Sequence, residues 1–414
     1  MSISPLRTAP MLPSLQDLDR AVKNLEVYAA DPYLRRCRPR WEGTTLLSFP
    51  GGTSCVYPVT VDNRTKALRC WKTLAERQEE RYRHITDLLD RVEIPCMVKV
   101  HYIARGLVIR EEPYPVVLMD WVEAPTLADY LDAKHDHSEA IERLSESFVD
   151  TVRVLHDNRI AHGDLQDGNI LVADDGNDVS IKLVDYDTLY MPSLGQWPND
   201  ATTTIPAYRH PERGASPYLS SSDDHFSELV IYLSLLAIVE NPFLWKPGTE
   251  QRLLFSEDDY RDPETSPTFA LLLRMSPRIR RLSRILHSFC AVRDTRLIPP
   301  LERVLTQRAV LVGTYFGVEN VGSLPPDEWG EPPRRESPGQ AAPPQAPPAT
   351  REGTEARPVW KEYFERREGG RKSIRTPSVT PPPATHGKVA TTAVVLGIGA
   401  LVLLFLFILS RILG

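Results

Sequence analysis

The chain lacks any CxxC pair. Its five cysteines, Cys37, Cys55, Cys70, Cys96 and Cys290, stand singly. That excludes the common zinc and dithiol motifs and fits a reducing compartment. An excess of positive charge is also missing. The formal net charge is −6, so no global field recruits nucleic acid, and none is expected as a partner. No internal repeat is apparent, which excludes solenoids and propellers. The N-terminal stretch Met-Ser-Ile-Ser-Pro-Leu-Arg-Thr-Ala-Pro has no long apolar core and does not read as a signal peptide.

One long uncharged run stands out. Residues 389–409 carry no charged side chain. As a helix they would extend about 30 Å, the thickness of a bilayer core. A buried core helix is the plain alternative, but it would be shorter and amphipathic. Arg357, Lys361, Arg366, Arg367, Arg371, Lys372, Arg375 and Lys388 precede the run, which by the positive-inside rule puts that side in the cytosol. The expectation is a single-pass C-terminal tail anchor with everything before it cytoplasmic.

The rest has the composition of a folded protein, 25% charged and 42% hydrophobic. Residues 1–40 read as a helical extension. Within it, 14–30 repeat Leu18, Val22, Leu25 and Ala29 at helical spacing behind a capping box at Ser14 and Asp17. Residues 41–72 alternate like three short strands, 74–92 like a helix, and 98–109 and 115–121 like strands again. A mostly helical stretch follows to about Leu305. Many of the 37 prolines fall between Pro325 and Pro383, so 311–388 reads as a disordered linker. Within it, 359–365 form a small aromatic cluster, read as a transient helix rather than a docking motif.

The densest chemical signal is His162-Gly163-Asp164-Leu165-Gln166-Asp167-Gly168-Asn169-Ile170-Leu171-Val172, followed by Ile181-Lys182-Leu183-Val184-Asp185-Tyr186-Asp187. A polar hairpin between two buried strands is the plain alternative. The segment resembles the catalytic and metal-binding loops of the protein kinase superfamily, in a form similar to bacterial eukaryotic-like Ser/Thr kinases. The resemblance implies an α+β, bilobal protein-kinase-like fold. Its small antiparallel sheet lobe with one helix would span 41–118, and its larger helical lobe 119–310. It implies a protein substrate, ATP and Mg²⁺, with Asp164 as base and Asn169 and Asp185 on the metal. For a bacterial protein the membrane would be the inner one.

Further segments look like family landmarks. Val117 to Val122 resembles the hinge strand, with Met119 as gatekeeper and the backbone of Asp120 to Val122 on the adenine edge. Gly51-Gly52 resembles a reduced phosphate-covering loop, though a hairpin turn is an equal reading. Pro206 to Glu212 resembles the end of an activation segment, with Glu212 as its structural carboxylate. Asp224 resembles the helix-start residue that bonds the catalytic loop, and a plain N-cap reads equally well.

Departures from the family pattern bear on mechanism. Lys66-Ala67-Leu68-Arg69 puts Arg69 where active kinases carry lysine, as a phosphate contact. Its helix partner aligns with His84 rather than a glutamate. Lys66 and Lys72, three residues away, fall on the opposite sheet face. Gly163 stands where regulated kinases carry Arg, Gln166 where Lys is usual, and Asp187 replaces the glycine that ends the metal loop. The leading expectation is a membrane-tethered Ser/Thr phosphotransferase. A nucleotide-binding pseudokinase scaffold is the second reading, and a small-molecule kinase, suggested by His-Gly-Asp-Leu, the third.

Overall fold

The structure is a computed structural model that describes residues 12–73, 77–199, 204–248 and 253–306. The expected linker 311–388, its aromatic cluster and the span 389–409 lie outside those residues. Among the described residues, no helix is long and apolar enough to cross a membrane.

The chain opens with three short helices, α1 (Leu15–Lys23), α2 (Leu25–Tyr28) and α3 (Pro32–Arg36). The sequence suggested one helix over 14–30. The start is as expected, with the reciprocal Ser14–Asp17 capping box in place. The helix breaks at Asn24, whose φ of −132° is not helical. Its side-chain amide donates back to the Arg20 carbonyl, a local bond that competes with helix continuation. Five strands follow: β1 (Arg38–Pro39), β2 (Trp41–Glu42), β3 (Thr45–Leu46), β4 (Phe49–Pro50) and β5 (Ser54–Val61). Then come β6 (Arg64–Trp71), α4 (Gln78–Arg91), β7 (Val100–Ile109) and β8 (Glu112–Asp120).

The main sheet runs β1-β5-β6-β8-β7, with β4 also paired to β5, and every pairing is antiparallel. Alternation along β6 splits its side chains between two cores. Leu68 and Cys70 face a cluster built with Leu18, Val22, Leu25 and Leu34. The N-terminal extension therefore covers the outer face of the sheet and adds β1 to its edge. Ala67 and Trp71 face the other way, into a cluster shared with α4 and continuous with the helical part. Arg69 lies on this inner face by the same alternation.

The helical part contains α5 (Leu127–Lys134), α6 (Ser138–Asp157), the hairpin β9 (Ile170–Asp174) and β10 (Val179–Leu183), and α7 (His225–Glu240). It ends with α8 (Glu257–Arg261), α9 (Pro267–Leu272), α10 (Pro277–Cys290) and α11 (Leu301–Thr306). Helix α7 is apolar on all sides, and residues 226–238 are buried throughout. It is the central pillar on which the catalytic-type loop rests.

Candidate active site

The loop between α6 and β9 is held from below. Asp224, just before α7, accepts the backbone N–H of His162 and, at 2.9 Å, that of Gly163. It makes no side-chain cap to its own helix, so the two sequence readings resolve in favour of the loop bond. Burial pushes the Asp224 carboxyl above its usual range, with His162 and Arg213 pulling against it. His162 is buried and its Nε2 lies 2.9 Å from the Val184 carbonyl. That contact ties the loop to the segment after β10 that carries Asp185.

Gly163 explains one departure. Its φ is +81°, and a Cβ there would meet the Thr188 carbonyl oxygen at 2.2 Å. No L side chain fits, so the arginine common at this position has no room. The carbonyl of Gly163 instead accepts from Arg213 Nη2 at 3.1 Å.

Asp164 and Asn169 meet above this support. Asn169 Nδ2 donates to the Asp164 carbonyl at 2.8 Å and to Asp164 Oδ2 at 3.0 Å. With its nitrogen engaged there, the amide keeps Oδ1 for a cation. The Asn169 carbonyl accepts from Val184 N at 3.0 Å, so the loop is one residue from Asp185 through a direct backbone bond. Asp185 takes a left-handed φ of +69°. Tyr186, next in line, is pinned by its hydroxyl, which accepts from Val98 N at 2.6 Å and donates to the Leu183 carbonyl at 2.7 Å. The two oxygen donors, Asn169 Oδ1 and the Asp185 carboxylate, are hard ligands of the kind Mg²⁺ takes. Burial raises the Asp185 carboxyl, Arg69 opposes this, and Asp187 and Asp164 add to the rise. An amide oxygen and a carboxylate are a donor set that fits Mg²⁺.

Arg69 is the least expected member of the site. It is 2% exposed. Its Nε donates to Ser54 Oγ at 2.9 Å and its Nη1 to the Tyr82 hydroxyl at 2.8 Å. Nη1 and Nη2 grip the two Asp187 oxygens at 3.0 and 2.8 Å, and Nη2 also lies 2.9 Å from Asp185 Oδ1. Four of the five N–H groups of the guanidinium thus donate within the protein, and the remaining one sits beside Asp185. The expected phosphate contact is, in this arrangement, an internal one. Burial alone would discharge Arg69, but Asp185, Tyr82 and Asp187 outweigh it and hold the pKa well above its ordinary value.

His84, which aligns with the family's helix glutamate, is not among the partners of Arg69. The buried residues of α4 are Gln78, Arg81, Tyr82, Ile85 and Leu89. His84 is half-buried. Tyr82 takes the place and links the network, its hydroxyl also donating to Asp187 Oδ1 at 2.7 Å. Sequence reasoning missed Tyr82 and Ser54. The recurrence of Tyr82 with Ile85 and Leu89 was the available signal.

This geometry coincides with a family. Residues 50–284, more than half of the chain, match the family described as protein kinase domain. The chain belongs to the protein kinase domain family. It is similar to inhibitor of nuclear factor kappa-B kinase subunit alpha of Gallus gallus, 24% identical over 156 residues that cover 36% of this chain and 20% of that protein. It is also similar to calcium/calmodulin-dependent protein kinase type II of Caenorhabditis elegans, 23% identical over 218 residues, 51% of this chain and 29% of that one. The chain therefore spans under a third of the length of the curated relatives it matches.

In the kinase domain, the remaining predicted residues divide. Met119 is buried and pairs with Ala67 and Val100 in the sheet. Strand β8 runs on to Asp120, so the sheet extends two residues past the expected lobe boundary at 118. The Asp120 N–H is taken by the Lys99 carbonyl at 3.2 Å and its carboxylate by Lys66. The Val122 carbonyl accepts from Ala124 N at 3.0 Å. Its N–H has no partner among the described residues.

The glycine loop is a tight hairpin in which Gly51 N donates to the Ser54 carbonyl at 2.8 Å. Lys72 reaches over to the Gly51 carbonyl. Gly51 is thus committed to the turn, whereas a Cβ at Gly52 would meet nothing within 4 Å. Phe49, on the strand entering the hairpin, packs its ring 5.7 Å from Trp121 of the hinge. Lys66 and Lys72 both bond on sides away from Arg69, as alternation predicts.

Glu212 does not act as the expected structural carboxylate. Among the described residues it forms no ion pair. The segment is anchored by its neighbours instead. His210 Nε2 lies 2.8 Å from the Phe289 carbonyl, and Arg213 pairs with Asp223 at 3.3 Å.

Proposed function

We propose that this kinase-domain protein transfers the γ-phosphate of ATP to a Ser or Thr hydroxyl of a protein substrate, from a position tethered to a membrane by residues 389–409. The observation that carries the catalytic reading is the pair of bonds from Asn169 Nδ2 to Asp164, 2.8 Å to its carbonyl and 3.0 Å to Oδ2. They fix the carboxylate's plane and leave Oδ1 to face an incoming hydroxyl. Asp164 then receives the hydroxyl proton as the oxygen attacks phosphorus. Asn169 and Asp185 hold Mg²⁺, which when bound neutralises charge on the phosphates. Met119 and the Val122 N–H line the adenine side, and Gly52 lies at the open turn of the phosphate cover. The apolar run and the basic stretch before it support the tether.

A second reading, a nucleotide-binding scaffold without transfer, is favoured by one observation: Arg69 directs its donors into the protein rather than toward phosphates. Binding separates the readings from a site that takes no nucleotide. Asp185→Ala should abolish Mg²⁺-dependent ATP binding measured by calorimetry. Unchanged affinity in that variant would remove Asp185 from the site and refute the proposal.

A further inference from the structure

Asp185 already faces one fixed cation. Its Oδ1 lies 2.9 Å from Arg69 Nη2, and the arginine has no freedom to withdraw. Ser54, Tyr82 and both oxygens of Asp187 hold it, and it is 2% exposed. Kinases of this family ordinarily place two Mg²⁺ ions between the metal-loop Asp and the catalytic-loop Asn. Here one oxygen of that Asp is already faced by a fixed positive charge. A second divalent ion would have to share the carboxylate with a buried guanidinium and be repelled by it. The residue that fixes the guanidinium, Asp187, is the one that departs from the family's glycine.

We infer that Arg69 replaces one of the two cations, so that this site takes a nucleoside triphosphate with a single divalent ion, bound by Asn169 and the other oxygen of Asp185. Arg69 is then a positioning residue. It acts through Asp185, orients that carboxylate and supplies charge, and makes no contact with phosphate. Asp187 and Tyr82 are the anchors that keep it there, replacing a carboxylate on the helix. The inference rests on the nucleotide-binding reading above.

The test counts metal ions rather than turnover. Mn²⁺ is titrated into the full chain saturated with a non-hydrolysable ATP analogue, and bound ion is read by electron paramagnetic resonance. The wild-type protein should bind one Mn²⁺ per nucleotide. Arg69→Gln, which removes the charge but keeps a hydrogen-bonding side chain, should gain a second ion with at least tenfold higher affinity than any second site of the wild type. Two ions of similar affinity in the wild type overturn the inference and leave nucleotide binding standing. An unchanged count in folded Arg69→Gln overturns it as well. Absence of nucleotide binding in the wild type overturns both this inference and the reading beneath it. Should the variant fail to fold, the wild-type count decides alone.

Discussion

Asp187 grips Arg69 with both carboxylate oxygens, at 3.0 and 2.8 Å. The pair joins β6 of the sheet lobe to the metal loop directly. In the usual arrangement, the partner of the β6 cation is a glutamate on the helix. Here the helix contributes only a hydroxyl, that of Tyr82. The position of α4 therefore bears less on the cation than the position of the loop does.

Removing Asp187 should leave a buried cation with Asp185 as its remaining carboxylate partner. Asp187→Ala is expected to cost about 2–3 kcal/mol, less than breaking a fully buried pair, because the Asp187 side chain is 27% exposed and Asp185 still faces the guanidinium. At roughly 2–4 °C per kcal/mol for a domain of this size, the melting temperature should fall by about 4–12 °C. Tyr82→Phe removes one acceptor and one donor and should cost about 1–3 kcal/mol. Differential scanning calorimetry checks both. A change within error for Asp187→Ala would mean that the ion pair contributes nothing to the fold.

Gly163 should tolerate no side chain. Its φ of +81° and the 2.2 Å approach of a Cβ to the Thr188 carbonyl predict a loss of at least about 2 kcal/mol for Gly163→Ala and more for Gly163→Arg. Urea unfolding measures it. If Gly163→Arg were as stable as the wild type, the loop could not have the backbone described here.

The stability of the domain should carry a signature at alkaline pH. His156 on α6 bridges Glu228 of α7 and Glu302 of α11, with N···O distances of 2.8 and 2.9 Å, and the His225 ring stacks edge-on against it. Burial pulls its pKa down, but the two carboxylates outweigh it and raise the value to about 9. A raised folded-state pKa means that the imidazolium stabilises the fold. That contribution is full below the unfolded value of about 6.5 and disappears as pH rises through about 9. Its upper bound is roughly 3 kcal/mol. The melting-temperature gap between wild type and His156→Gln should be widest near pH 6 and narrow by pH 10. A gap that is constant across that range would show that His156 is not charged in the fold.

The sheet-rich and helical parts and the kinase-type sequence signature were legible in the sequence, because each rests on local signals. Alternation gave the strands, a run of apolar residues gave α7, and the spacing of Asp164, Asn169 and Asp185 gave the loops. The environment of Arg69 was not legible. It depends on Ser54, Tyr82 and Asp187, which are 15, 13 and 118 residues away, and no periodicity links such distances. Glu212 failed for a related reason. A family landmark gave its place in the chain, but its partner would have come from a distant helix. Asp224 succeeded because its two acceptor bonds are to backbone, which any sequence supplies. The packing of residues 12–40 on the outer sheet face was also hidden, since an amphipathic helix does not say which surface it covers.

Phosphate transfer from γ-labelled ATP tests the account most directly. The full-length protein is incubated with Mg²⁺ and a generic Ser/Thr protein substrate beside Asp164→Ala. Labelled phosphoserine or phosphothreonine is expected with the wild type. With Asp164→Ala, turnover should fall by about 10²–10⁴-fold, the usual contribution of a general base, while ATP affinity stays the same. Equal label from both proteins, or none from a wild type that binds ATP tightly, would contradict it and leave a nucleotide-binding scaffold.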